Sequence, residues 1–185
     1  MNVRPDLRMS KAAFIEWSAA EEERCELVAG RVVMMPRPSL AHGMIVMNLA
    51  FLLRTKLDPK QWVVVAEFGL DAGPETLRYP DIVVDRAGGL AKSYTASAPV
   101  LLAEVLSPSS VEIDLGDKAA EYLRIPSLLA YIVLSQDEPK AWVHVRAGAQ
   151  FTGPAVAGGT DAVIRVASLQ LELPMADIYA GIKAD

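Results

Sequence analysis

Short apolar runs bounded by turn residues alternate along this chain with longer stretches of helical spacing. Residues 10 to about 18 predict a short helix with Ser10 as its N-cap. Residues 26–35 predict a hairpin that turns at Ala29-Gly30 and is stopped by Pro36. From 39 to about 57, Met44, Met47, Ala50, Phe51 and Leu53 predict a helix with one broad apolar face and Ser39 as its cap. Residues 62–70 are apolar on both alternating faces, the pattern of a central strand covered by helices.

The second half continues in the same way. A loop at Gly73-Pro74-Glu75 precedes a strand through Asp81, and residues 86–99 form a longer connection. A strand through Glu104 ends in a Pro/Ser turn, where Ser109 or Ser110 can cap a helix that Pro126 prevents from continuing. Residues 129–135 and 141–146 predict two strands joined by a polar turn. The Gly158-Gly159 turn leads to strands at 163–166 and 169–173, and a short helix over about 175–182 closes the chain. No repeat, low-complexity tract or linker interrupts this order, so the expected organisation is one domain over 1–185.

The pattern has a conspicuous exception. Glu104 lies inside Leu101-Leu102-Ala103-Glu104-Val105-Leu106, where an ionised carboxylate is expensive unless something pairs with it. A second acid, Asp81, lies in Tyr79-Pro80-Asp81-Ile82-Val83-Val84, and Lys118 follows on the next helix. If the two strands pair in the obvious register, both acids reach one end of a sheet. With Leu115, Ala119 and Tyr122 as the core stripe, Lys118 falls about 60° from its centre and can reach the same end. Asp117, Ala120, Glu121 and Arg124 then face solvent. Two carboxylates and a main-chain carbonyl, such as that of Val105, suit Mg²⁺ or Mn²⁺, which take oxygen ligands and keep several waters. Such an ion would polarise a phosphate and ease ionisation of a bound water, with Lys118 orienting the water or offsetting charge.

Composition narrows the picture. A chain of 185 residues that is 52% hydrophobic and 22% charged can bury a core without disulfides or metal. Its single cysteine, Cys25, reads as a small buried apolar side chain and suits a reducing cytoplasm. No signal segment is expected, and the uncharged stretch 38–53 is short for a membrane span. The net charge of −5, from 23 acids against 18 bases, argues against strong non-specific nucleic-acid binding but leaves room for a local basic rim.

Further candidates sit around the central group. Glu26, within the hairpin, could complete the metal site or orient a ligand; Glu67 is another acid in an apolar run. His42, near its helix start, could contact a phosphate. His144 reads as an ordinary strand residue, and Ser107 as a turn residue before a substrate contact.

Taken together, Glu26-Leu27-Val28-Ala29-Gly30, His42, Pro80-Asp81, Glu104-Val105-Leu106-Ser107-Pro108-Ser109, Asp114 with Lys118 and Tyr122, and Tyr131-Ile132-Val133 resemble the Uma-type restriction endonuclease family of the PD-(D/E)XK nuclease superfamily. The resemblance runs over nearly the whole chain. It implies an α/β fold, a restriction-endonuclease-like mixed β-sheet flanked by helices, and Mg²⁺-dependent hydrolysis of DNA phosphodiesters with Asp81 and Glu104 as metal ligands. One departure stands out. The lysine usual two residues after the second acid is Leu106 here, and the resemblance moves its role to Lys118. Fold-level analogy adds a homodimer. Two alternatives stay open: a binding module on the same fold that no longer cuts, and a metal-dependent hydrolase of small phosphorylated molecules.

Overall fold

The computed structural model describes residues 3–107 and 113–182, with the backbone alone for 3–6. The expected caps Ser109 and Ser110 lie outside the described residues.

The chain begins with strand β1 (Val3–Arg8) and helix α1 (Lys11–Ser18), whose Ser10 cap accepts from the Ala13 N–H. The hairpin β2 (Cys25–Val28) and β3 (Arg31–Met34) turns at Ala29-Gly30, both at positive φ. Helix α2 (Leu40–Lys56), capped by Ser39, leads to β4 (Trp62–Ala66), β5 (Leu70–Gly73), β6 (Thr76–Arg78), β7 (Ile82–Arg86) and β8 (Leu101–Val105). A π-helical turn (Ile113–Asp117) runs into α3 (Lys118–Tyr122), followed by β9 (Ala130–Leu134), β10 (Lys140–Ala147) and β11 (Gln150–Gly158). The paired strands β12 (Val163–Val166) and β13 (Leu171–Pro174) and helix α4 (Met175–Ile178) complete it.

Two larger sheets organise these elements. A six-stranded sheet runs β11-β10-β9-β8-β7-β4; its β8–β9 pair is parallel and the others antiparallel. A five-stranded antiparallel sheet runs β1-β3-β2-β6-β5. Alternation along each strand sends successive side chains to opposite faces. Ile82, Val84, Leu101 and Ala103 therefore pack with Ile45, Leu49 and Leu53 of α2, whereas Val83 and Leu102 pack with Ala119 and Tyr122 of α3. Phe14, Leu27, Val32 and Leu77 form a smaller core beneath the N-terminal sheet. The architecture is the α/β mixed sheet with flanking helices that the sequence predicts, with an N-terminal hairpin enlarged into its own sheet.

Several expectations need correction. Residues 62–70 do not form one central strand. Glu67, at φ 53°, breaks the run; β4 is the outer strand of the larger sheet, and Leu70 starts a strand of the other. On α2, Ile45, Val46, Leu49 and Leu53 are buried, while Met47 and Phe51, expected on the apolar inner face, are exposed. Strands β1, β6 and β11 were unexpected. Residues 169–173 divide into a 3₁₀ turn (Ala167–Leu169) and β13, and α4 stops at Ile178.

Candidate functional site

The two acids meet because of register, Glu104 within β8 and Asp81 one residue before β7 rather than inside it as expected. Ile82 pairs with Ala103, so the next step places Asp81 across from Glu104 at the sheet end. Both lie on the face covered by α3, in phase with Val83 and Leu102. The smaller sheet adds Glu26 by the same logic. Leu27 pairs with Leu77, so Glu26 lies across from Arg78, whose Nη1 is 3.0 Å from Glu26 Oε2. The chain passes from β6 to β7 through Tyr79-Pro80-Asp81 and thereby carries the Glu26–Arg78 pair to the acidic sheet end. Proline, which cannot donate to a ladder, suits that crossing.

Lys118 occupies the middle. Its Nζ lies 2.9 Å from Glu104 Oε1, 3.2 Å from Asp114 Oδ1 and 3.6 Å from Glu26 Oε1. Asp114, Lys118 and Tyr122 follow one another at i,i+4, which turns all three toward the sheet. Tyr122 donates to Glu104 Oε1 at 2.9 Å, and Tyr131 donates to the Asp114 carbonyl at 2.8 Å. Asp81 Oδ2 accepts from the Val105 N–H at 2.7 Å and lies 3.2 Å from His42 Nε2. Arg78 holds Glu121 through two hydrogen bonds of 2.8 Å, so Glu121 turns inward rather than facing solvent as expected.

These groups are taken from water: Asp81 is 5% exposed, Glu104 3%, Lys118 5% and Glu26 2%. Burial raises the Glu104 carboxyl well above the usual carboxylate range; Lys118 opposes this, and the charges of Asp81, Asp114 and Glu26 add to it. Burial also disfavours charge on Glu26, but Lys118, Arg78 and the Tyr79 N–H outweigh it and hold that carboxyl below its ordinary value. Burial works against the Lys118 ammonium as well. Glu104, Glu26 and Asp114 overrule it and raise its pKa far above the ordinary lysine value. Lys118 is thus a fixed cation, unsuited to accept a proton at neutral pH.

A cavity of about 300 Å³ opens here, lined among others by Glu26, His42, Asp81, Glu104, Ser107 and Lys118. Val105, Arg24 and Arg37 also border it. The donors of Glu104 both address Oε1, and those of Asp81 both address Oδ2. Asp81 Oδ1 and Glu104 Oε2 take no hydrogen bond among the described residues. Two half-engaged carboxylates in an acid-rich cavity fit a hard divalent cation that keeps water ligands. Among the described residues no three His, Cys, Asp or Glu side chains form a ready-made metal cage, so solvent or substrate oxygens would complete the shell.

The cavity therefore brings together Asp81, Glu104, Val105, Lys118, Glu26, His42 and Ser107. Glu67 is not enclosed: its half-exposed carboxylate pairs with Arg24 at 3.0 Å, outside this group. His144 lies in β10, stacked on Tyr131. Cys25 is buried, as expected. Sequence reasoning missed Arg78 as a site residue: in the mixed stretch Glu75-Thr76-Leu77-Arg78-Tyr79 a charge breaks no apolar pattern. It set Tyr122 in the core stripe and in the family resemblance but gave it no contact with Glu104, because nothing local says where a phenol points.

A mixed sheet with helices on it and a buried acid–lysine cluster at one end is the architecture of a nuclease-like α/β protein. The chain belongs to the Uma2 family, described as "putative restriction endonuclease", which it matches over residues 12–176. It is 27% identical over 133 residues to the uncharacterized protein sll1609 of Synechocystis sp. strain PCC 6803, covering 69% of this chain and 75% of that one. Its fold is similar to a crystal structure titled a putative nuclease of DUF820 from Anabaena variabilis. The TM-score is 0.72 and the identity 19%, over 86% of this chain and 92% of the other. No helix among the described residues is long and apolar enough to cross a membrane.

Proposed function

We propose that this protein is an endonuclease that hydrolyses DNA phosphodiester bonds with a divalent metal, Mg²⁺ or Mn²⁺. The observation that carries the reading is the pair of half-engaged carboxylates, Asp81 and Glu104, opposed at one sheet end beside the fixed ammonium of Lys118. Asp81 and Glu104, with the Val105 carbonyl, would hold the ion. Bound there, it would supply positive charge to the phosphate and a water of lowered pKa.

The chain's own residues do the rest. Val105 N–H and His42 fix Asp81 through Oδ2, and Tyr122 and Lys118 fix Glu104 through Oε1, so the other oxygen of each faces its task without reorganisation. Lys118, held protonated, orients the attacking water and offsets charge on the phosphate; it does not act as a base. Glu26, clamped by Arg78, keeps Lys118 in place. His42 and Ser107 line the cavity wall and would meet the substrate backbone there.

The test is nicking of supercoiled plasmid with Mg²⁺ or Mn²⁺, beside Asp81→Asn, Glu104→Gln and Lys118→Met. Loss of a preorganised charge lowers rates by about 10²–10³, so each variant should fall at least that far. Equal nicking by all four proteins would indicate a contaminant and end the enzymatic reading. Metal-dependent turnover of nucleotides without turnover of DNA would redirect it to a small phosphorylated substrate.

A further inference from the structure

One helix face is anomalous. Opposite its buried side, α2 presents Leu40, Met44, Met47 and Phe51, with Leu40 81%, Met47 68% and Phe51 70% exposed. Scattered exposed apolar residues are ordinary, but a continuous stripe marks an interaction surface. No charge interrupts α2 before Arg54. Three such side chains leave roughly 400 Å² of apolar surface open, within the range at which the largest patch on a protein is often functional.

We propose that this face is where two copies of the chain associate, their α2 helices antiparallel about a two-fold axis. The spacing of the stripe is its own complement. The intervals 40–44, 44–47 and 47–51 read 4, 3, 4 in either direction. An antiparallel copy therefore sets all four residues in register at once, Leu40 against Phe51 and Met44 against Met47, twice over. Knobs spaced three and four apart are what a helix pair requires, and a face that meets itself is what a two-fold interface requires.

Charge favours the same arrangement. The last turn of α2 carries Arg54 and Lys56, both exposed and without an ion pair among the described residues. Beside the first turn lies a hollow of about 840 Å³, lined by Leu40, Ala41, Met44, Asp137, Glu138 and Ile182. In the antiparallel register Arg54 of one copy falls opposite position 37 of the other, where the exposed Arg37 stands, beside the rim that carries Asp137 and Glu138. Glu138 already pairs with Lys140 at 3.3 Å, so Asp137, without an ion pair among the described residues, is the carboxylate that Arg54 would meet. A parallel pair would instead bring the two basic turns together. The stripe supplies about half of the roughly 800 Å² per partner in a standard interface. The basic turn and acidic rim, used twice, extend it.

The full chain should sediment as a dimer at about 50 µM. Met47→Glu, at a site open to water, should raise the dimer dissociation constant about 100-fold or more without lowering the unfolding temperature of the monomer, compared at concentrations where both proteins are dissociated. Arg54→Glu should weaken the dimer about tenfold, and adding Asp137→Arg to the same chain should restore it. In a Cys25→Ala background, Met44→Cys with Met47→Cys should cross-link the copies on mild oxidation, Cys25 being buried. A monomer at that concentration, or a dimer indifferent to Met47→Glu, would overturn the proposal. So would failure of the Arg54–Asp137 exchange. None of these readouts involves cleavage, so the pairing stands or falls separately from the nuclease reading.

Discussion

Replacing Lys118 with methionine tests the electrostatic account of the site most directly. Its ammonium lies 2.9, 3.2 and 3.6 Å from three carboxylates, at a residue 5% exposed. At about 3 Å and an effective dielectric near 20, each contact is worth about 5 kcal/mol before desolvation is subtracted. Removing one partner of a buried pair costs about 3–5 kcal/mol net, because the other charge stays behind. Here three stay behind, with Arg78 still on Glu26 and the Tyr122 hydroxyl still on Glu104. Lys118→Met should therefore lose at least 3 kcal/mol at pH 8, measured by urea unfolding followed by circular dichroism. The sign of the pH dependence follows. A carboxyl whose folded pKa is raised contributes stability below its unfolded value and loses it as pH rises through the folded one. Glu104 already stands on that side, and without Lys118 it moves further. The penalty should thus shrink from pH 8 to pH 5, and Glu104→Gln in the same chain should recover part of it. A loss below about 1 kcal/mol at pH 8, or an equal loss at both pH values, would refute a lysine ringed by buried carboxylates.

Three further outcomes follow from the same geometry. Mn²⁺ at 100 times its dissociation constant should stabilise by about 2.7 kcal/mol, or roughly 5–10 °C in Tm for a chain of this size. Because the Glu104 carboxyl is held high, binding should release a proton and tighten as pH rises; calorimetric heats independent of buffer ionisation would contradict this. Tyr122→Phe leaves Lys118 on Glu104 Oε1 but removes the second donor. It should cost about 1–2 kcal/mol and weaken Mn²⁺ binding severalfold, and unchanged metal affinity would deny Tyr122 a positioning role. Burial raises the phenols of Tyr122 and Tyr131 well above the ordinary tyrosine value and pushes Tyr179 up to about 12. Their stabilisation is complete below about pH 10 and is lost as pH rises through the folded values. Absorbance at 295 nm should show these phenolates appearing together with unfolding; their ionisation near pH 10 in folded protein would contradict the burial.

How much of the fold could be read depended on where the hydrophobic signal is unambiguous. The runs through β7, β8 and β9 are apolar on both faces because α2 and α3 cover both faces of the sheet, and they were legible. The 62–70 run has the same composition and was misread. Its break rests on the backbone of Glu67 and on the departure of β5 to another sheet, neither of which leaves a periodic mark. β11 went unseen for the opposite reason. An outer strand paired on one side only can carry Gly153, Pro154 and Gly158, residues that read as loop. The outward stripe of α2 misled for a physical reason as well: apolar spacing identifies a helix face without saying which body of protein, its own or another, lies against it.

The site was legible where burial and charge conflict. Glu104 among Leu102, Ala103, Val105 and Leu106 violates the strand's own pattern, and such a violation persists only when something distant compensates. That argument brings in Lys118 but not Arg78, which stands among Glu75, Thr76 and Tyr79 and violates no apolar pattern. What it cannot supply is the share each compensator takes. Lys118 is divided among Glu104, Asp114 and Glu26, and Arg78 between Glu26 and Glu121. This division follows from two registers, Ile82 with Ala103 and Leu27 with Leu77, set in different sheets and brought together by Tyr79-Pro80-Asp81. A hairpin residue fifty positions upstream thereby becomes part of the acid cluster. The consequence is chemical: with Lys118 tied to three carboxylates, the site has a cation that cannot wander and two carboxylate oxygens that take no hydrogen bond among the described residues, and a divalent ion with a phosphate is what would use both.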